Sequence, residues 1–157
     1  MSKKYQDSGT LGYWIIGIIT VIAFIGIGVF AYMTQPKPIT LKTNREIALT
    51  CTTDMATQFH IHPVLKIVIN GQNQEIPKDI GITPSCMNSL HTHDNTGEIH
   101  VEAPEKRDFN LSDFFAVWGK DMRSFGKNMK MTVNGQENTE YENYLMNDHD
   151  QIELIFE

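Results

Sequence analysis

The chain has 157 residues, 41% of them hydrophobic and 20% charged, and a formal net charge of −6. That length allows one domain of ordinary size plus appendages. Three of the 13 basic and one of the 19 acidic residues precede residue 40, leaving 10 against 18 beyond it. So acidic a remainder argues against nucleic acid and anionic lipid surfaces as partners, because both need a basic patch.

Residues 1–10 read as a short N-terminal tail. From Leu11 to Tyr32 there is no charge, only apolar residues, Gly and one Thr. A helix of that length covers roughly 33 Å, enough to cross a bilayer core. Tyr13 and Trp14 at one end and Tyr32 at the other fall where an aromatic belt lies. A signal peptide has a shorter apolar region, about 7–15 residues, ending in a small-x-small cleavage site. Ala31-Tyr32-Met33 lacks that site, so a retained transmembrane helix over 11–33 is expected. Lys3 and Lys4 before the span are balanced by Lys37, Lys42 and Arg45 after it, and charge alone sets no orientation. The short tail, and cysteine and histidine chemistry suited to the outside, favour a single-pass protein of the cell membrane whose soluble domain faces outward. Gly17, Thr20, Ala23 and Gly26 recur every third position and could pack against another helix, or the span could be a generic lipid anchor.

Residues 34–45 read as a proline-containing stalk, because Pro36 and Pro38 fix φ and disfavour helix just before them. An extracytoplasmic soluble domain over 46–157 follows. Val64–Ile69 is an apolar run that meets Asn70-Gly71, the strongest short hairpin signal, and a polar return strand ends near Ile76-Pro77. Residues 91–102 read as a second hairpin. Asn110 as N-cap, Asp113 three residues on, apolar Leu111, Phe114, Phe115 and Trp118, and Gly119 as a stop predict one amphipathic helix. A strand over Met129–Val133 meets Asn134-Gly135, Asp148-His149-Asp150 forms a turn, and Ile152–Phe156 closes the chain as a strand. The expected class is α+β: a transmembrane helix, then a small mostly-β domain with the amphipathic helix packed on the sheet. A β-grasp-like arrangement fits this order.

The chemistry concentrates in Leu90-His91-Thr92-His93-Asp94-Asn95-Thr96-Gly97-Glu98-Ile99-His100-Val101-Glu102, which holds three of the six histidines. Strand alternation puts residues i and i+2 on one face, pairing His60 with His62 and His91 with His93. Two imidazoles at this spacing begin a tetrahedral or tetragonal metal site. A four-residue loop over Asp94–Gly97 brings His91 opposite His100 and His93 opposite Glu98. A three-residue loop with a bulge at Gly97 turns His100 away. Any one of these histidines is also an ordinary solvent-facing strand residue; the combination of His60, His62, His91, His93 and His100 favours a site. Cys51 and Cys86 suit a disulfide outside the cytoplasm, or Cys86 beside Met87 could offer soft ligands to copper(I). Met129 and Met131 are compatible with copper handling or with core filling. No Gly-x-Ser-x-Gly, His-Glu-x-x-His or phosphate-cradling glycine loop occurs, so no catalytic residues are assigned and enzymatic activity is not expected.

These motifs have a family likeness. His60-Ile61-His62-Pro63, Ile69-Asn70-Gly71, Ile76-Pro77, Gly81-Ile82, Leu90-His91-Thr92-His93-Asp94, Gly97-Glu98-Ile99-His100-Val101-Glu102, Asp108–Phe115 and Trp118-Gly119 together resemble a bacterial and archaeal extracytoplasmic domain family. The likeness covers roughly residues 51–157. The family is secreted or membrane-tethered and has no assigned activity, so the resemblance implies the domain boundary and the histidine grouping, and no reaction. The expectation is a membrane-anchored module coordinating copper or zinc through His91, His93, His100 and one of His60 or His62, holding or delivering the ion. The alternative is a structural accessory subunit of a larger membrane complex.

Overall fold

A computed structural model describes residues 8–34, 42–53 and 57–157 of the chain. The tail before Ser8 and the prolines of the stalk lie outside the described residues. The chain divides into two compact units, Met1–Thr40 and Leu41–Glu157.

Among the described residues, the first unit contains one helix, α1, Ser8–Met33. An 18-residue stretch within Tyr13–Met33 has a mean hydropathy of 2.6, and the helix is long and apolar enough to cross a membrane, a test that a signal sequence near the N-terminus passes equally. Every described side chain along it is exposed, so the first unit by itself leaves the apolar surface of the helix uncovered.

The second unit is α+β, as expected. It opens with a short helix, α2, Asn44–Ala48, which has no counterpart among the expected elements. Its signal was present in Thr43-x-x-Glu46: the Glu46 carboxylate accepts the Thr43 N–H at 2.8 Å and the Thr43 hydroxyl accepts the Glu46 N–H at 3.2 Å, a reciprocal capping box. Strands β1 (Phe59–Ile61), β2 (Val64–Ile69) and β3 (Gln72–Gln74) follow. Then come β4 (Leu90–His91), β5 (His100–Ala103) and helix α3 (Leu111–Trp118). β6 (Lys130–Val133), β7 (Gln136–Glu137) and β8 (Gln151–Phe156) close the chain.

The strands make two sheets. The larger has the order β3-β2-β8-β6-β7, with β2 and β8 parallel and its other pairs antiparallel. Its two hairpins turn on Asn70-Gly71 (φ 51° and 78°) and Asn134-Gly135 (φ 52° and 78°). Positive φ at both central residues is what a tight type I′ turn demands and what Asn and Gly tolerate. Alternation along β2, β6 and β8 sends Leu65, Ile67, Met131, Ile152, Leu154 and Phe156 into one buried cluster with Leu111, Phe114 and Phe115 of α3. Helix α3 matches its expected limits, with the Asp113 carboxylate accepting the Asn110 N–H at 2.9 Å and Gly119 ending it at φ 71°. The same carboxylate meets Arg45 Nε of α2 at 3.0 Å.

The smaller sheet has the order β1-β5-β4, antiparallel throughout, with the pairs His60↔Glu102, Ile61↔Val101, Leu90↔Val101 and His91↔His100. Leu90, Val101 and Ala103 are buried in the common core. The register places His60, His91, His100 and Glu102 on the other face, because alternate residues of a strand point to opposite sides.

Candidate metal centre

Three neighbouring strands therefore present one histidine each, with β5 in the middle. His100 lies across from His91 on β4, and beyond Glu102 on the same strand lies the partner of His60 on β1. His62 follows the end of β1, and its ring centroid sits 4.3 Å from that of His60 and 4.8 Å from that of His100. The pairing of His91 with His100 is the one the four-residue-loop register requires. The loop itself departs from that register: it spans residues 92–99, and Glu98 bridges to Val64 of β2 instead of facing His93.

Pairing within the hairpin gives way here because the loop makes its hydrogen bonds elsewhere. Thr92, fully buried, donates its hydroxyl to Pro77 O at 2.9 Å and accepts the Ile80 N–H at 3.1 Å. The Leu65 N–H donates to Gly97 O at 2.9 Å, and the Ile99 N–H donates to Pro63 O at 2.8 Å. Gly97 has φ +88°, and a Cβ there would stand 2.1 Å from Leu65 O, so only glycine lets the loop lie on β2. Between these anchors the Asp94 carboxylate accepts both the N–H (2.9 Å) and the hydroxyl (2.6 Å) of Thr96, closing the turn. His93 is thereby held over the sheet from the loop, its centroid 4.8 Å from that of His91 and 4.5 Å from that of His100.

Two trios of nitrogens result: His60, His62 and His100, and His91, His93 and His100. Within each, the candidate ligand atoms lie within 4.8 Å of one another, close enough for the group to hold a metal ion. Two separations are shorter. His91 Nε2 lies 3.2 Å from His93 Nε2, and His60 Nε2 lies 3.3 Å from His100 Nδ1. Nitrogens bound tetrahedrally at about 2.0–2.1 Å stand roughly 3.3 Å apart, a spacing that these two pairs share with an N–H···N hydrogen bond.

The surroundings favour ligation. His91 is 0% exposed, and its Nδ1–H donates to Asn88 O at 3.0 Å. A carbonyl can only accept, so the proton sits on Nδ1 and the Nε2 lone pair faces His93. Asn88 is itself fixed, its N–H donating to Gly81 O at 2.8 Å and its amide to Ala48 O at 2.9 Å. Burial pushes the His91 imidazole below the usual histidine range, against the Asn88 carbonyl and Glu102, which favour the charged form, and with His93 and His100 adding to the fall. Burial lowers His100 as well, and the neighbouring His93 and His62 reinforce it. Both rings are thus biased toward the neutral form that binds metal.

Carboxylates line the rim: Glu102 Oε1 at 3.1 Å from His60 Nε2, Glu98 Oε1 at 3.3 Å from His100 Nε2, and Asp148 Oδ1 at 3.8 Å from His62 Nδ1. Asp148 also accepts the His62 backbone N–H at 2.9 Å. The turn of Asp148 brings in His149, whose exposed ring stacks 6.5 Å from that of His62. Asn88 and Asp148 are the residues that sequence spacing missed. Asp148 lies 86 positions from its partner, and no local pattern signals such a contact.

The cysteines form a disulfide, Cys51–Cys86, with Cα atoms 5.5 Å apart. The copper(I) thiolate expected as the alternative for Cys86 is thereby removed, since neither sulfur is free. Closing a loop of this length constrains the unfolded chain by about 4 kcal/mol in the chain-entropy model. Locally it secures Met87, which pairs with Thr52, and so the Asn88 carbonyl one residue on. Met131 is buried in the core and Met129 packs against it, which makes both of them core filling. A separate groove of about 590 Å³ runs along β2, β3 and β8 beside Asn95 and Thr96, and no histidine lines it. No protein-family model, curated protein or solved structure matches the chain.

Proposed function

We propose that this protein is a membrane-anchored module that binds copper(II) or zinc on the histidine face of β1-β5-β4 and holds or delivers the ion outside the cytoplasm. The observation that carries the reading is the convergence of His60, His62, His91, His93 and His100 into nitrogen trios of ligand spacing. An all-imidazole set suits both ions, and copper(II) binds such sites the more tightly of the two. Three protein nitrogens leave a fourth coordination position open, as in exchangeable rather than purely structural sites. His60 and His93 are exposed, which gives an ion a way in and out. The disulfide and the apolar helix α1 support an outward, tethered location. So does the motif likeness to secreted or tethered prokaryotic domains. The larger sheet supports a β-grasp-like reading: a hairpin, a helix, a second hairpin, and a last strand that runs parallel to β2 between the two hairpins.

The test uses the full chain in mild detergent, stripped by chelator, loaded with copper(II) or zinc and freed of excess ion. Near-stoichiometric metal by elemental analysis is expected, and its loss in a folded His91→Ala, His93→Ala, His100→Ala variant. Retention of neither ion by the natural sequence would sink the metal reading. The accessory-subunit reading would then lead, to be pursued through stoichiometric partners in the same purification.

A further inference from the structure

The histidine face holds two trios, and His100 belongs to both. The sheet order is the cause: β5 is central, with β1 and its histidines on one flank and β4 with the His93 loop on the other. An imidazole has two ring nitrogens whose lone pairs diverge, and the two nitrogens of His100 face different neighbours. Nδ1 is 3.3 Å from His60 Nε2, on the β1 side. Nε2 is 3.3 Å from Glu98 Oε1, on the loop that also carries His93. Nδ1 thus stands toward the His60 side, and Nε2 toward the loop that carries His93.

We infer that His100 bridges two metal ions, one held with His60 and His62 through Nδ1 and one held with His91 and His93 through Nε2. The inference rests on the metal-binding reading above and specifies its stoichiometry. A neutral imidazole offers one lone-pair nitrogen and one N–H: the first ion takes the lone pair, and binding of the second releases the single ring proton to water, leaving a bridging imidazolate. At metal–nitrogen bonds of about 2.0 Å the ions stand roughly 6 Å apart. Their mutual repulsion is offset by the anionic bridge and by Glu98 and Glu102, each placed within 3.3 Å of a histidine nitrogen of the face. The ring of His100 is well placed to stay put as a bridge. Its strand is hydrogen-bonded on both sides, and the rings of His62 and His93 stand edge-on to it at 87° and 82°.

Copper(II) loaded into the full chain in detergent reads this out twice. Elemental analysis is expected to give two ions per chain. Electron paramagnetic resonance at low temperature is expected to show far less than two spins, because an imidazolate couples the two unpaired electrons. His62→Ala should bring the count from two to one and restore a full single-spin signal, and His93→Ala should do the same from the other side. His100→Ala should abolish the coupling while circular dichroism stays unchanged. One ion per chain in the natural sequence, or two ions giving two full uncoupled spins, would overturn the bridge and leave the metal-binding reading standing. No retained copper would overturn the bridge, and no retained copper or zinc would overturn the metal-binding reading with it.

Discussion

The two sheets of the second unit use the same alternation for opposite ends. In β3-β2-β8-β6-β7 the long strands β2 and β8 run side by side for six residue pairs, from Val64↔Gln151 to Ile69↔Phe156, and bury one face in the core. In β1-β5-β4 the strands are short, one face joins that same core, and the other carries imidazoles and carboxylates. The first sheet holds itself together by apolar burial, at roughly 1.5–3 kcal/mol for each fully buried large side chain. The second is too short to do so and is held by its neighbours: the disulfide beside Thr52 and Met87, Thr92 on the 77–80 segment, and Gly97 on β2. Stability and chemistry are thereby separated onto adjacent layers, and a metal site can be polar without weakening the fold beneath it.

That separation can be broken most forcefully in the core. Leu154→Ala removes a side chain that is 0% exposed and is expected to cost about 2–5 kcal/mol in chemical denaturation. The fraction still folded should bind metal with unchanged affinity, and a large affinity loss would show that the layers are not separable. From the other layer, metal at about 100 times its dissociation constant is expected to add about 2.7 kcal/mol of stability. His91→Ala should sharply reduce that increment, with thermal melts with and without ion as the readout.

Gly97→Ala strikes the seam between the layers. Strained φ alone costs on the order of 1–3 kcal/mol, and the added methyl would meet Leu65 O at 2.1 Å. Because the loop also carries His93, this variant should lose both stability and metal affinity, unlike Leu154→Ala. An affinity equal to that of the natural chain would mean that His93 is not positioned by this contact.

Acid offers a gentler probe. Unfolded, His91 and His100 take up protons near pH 6.5, whereas burial keeps their folded pKa values lower. Below about 6.5 the unfolded state binds more protons, so the metal-free protein should be fully stable above that pH and lose stability as pH falls through it. A His91→Gln, His100→Gln variant should flatten this limb between pH 6.5 and the carboxylate range; an unchanged limb would place its origin elsewhere. The smallest effect is expected from Lys66→Ala on the outer face of the larger sheet. The Lys66–Glu153 pair, at 2.8 Å, is half-exposed, and such pairs contribute about 0–1 kcal/mol.

Local order was largely legible beforehand. Both Asn-Gly turns, β2, β8 and the limits of α3 follow from propensity, capping and periodicity, which act over a few residues. At residues 92–99 turn chemistry suits either a four-residue or a three-residue loop, and the structure keeps the His91↔His100 register of the first. Thr92 and Gly97 form their hydrogen bonds with distant segments, and those bonds open the hairpin into a longer loop than either. Helix α2 is signalled by its capping box, but its five residues straddle the expected boundary between stalk and domain.

The sequence by itself determined an apolar helix, an α+β class, and the facing of His91 by His100 in one of its two loop registers, because each depends on spacing along the chain. Only the tertiary structure decided that β1 pairs with β5, that β4 takes its other side, and that His100 therefore stands between two pairs of histidines. Strand pairing across forty residues is chosen by which apolar faces can be buried together, a property of the whole core that no window of sequence contains.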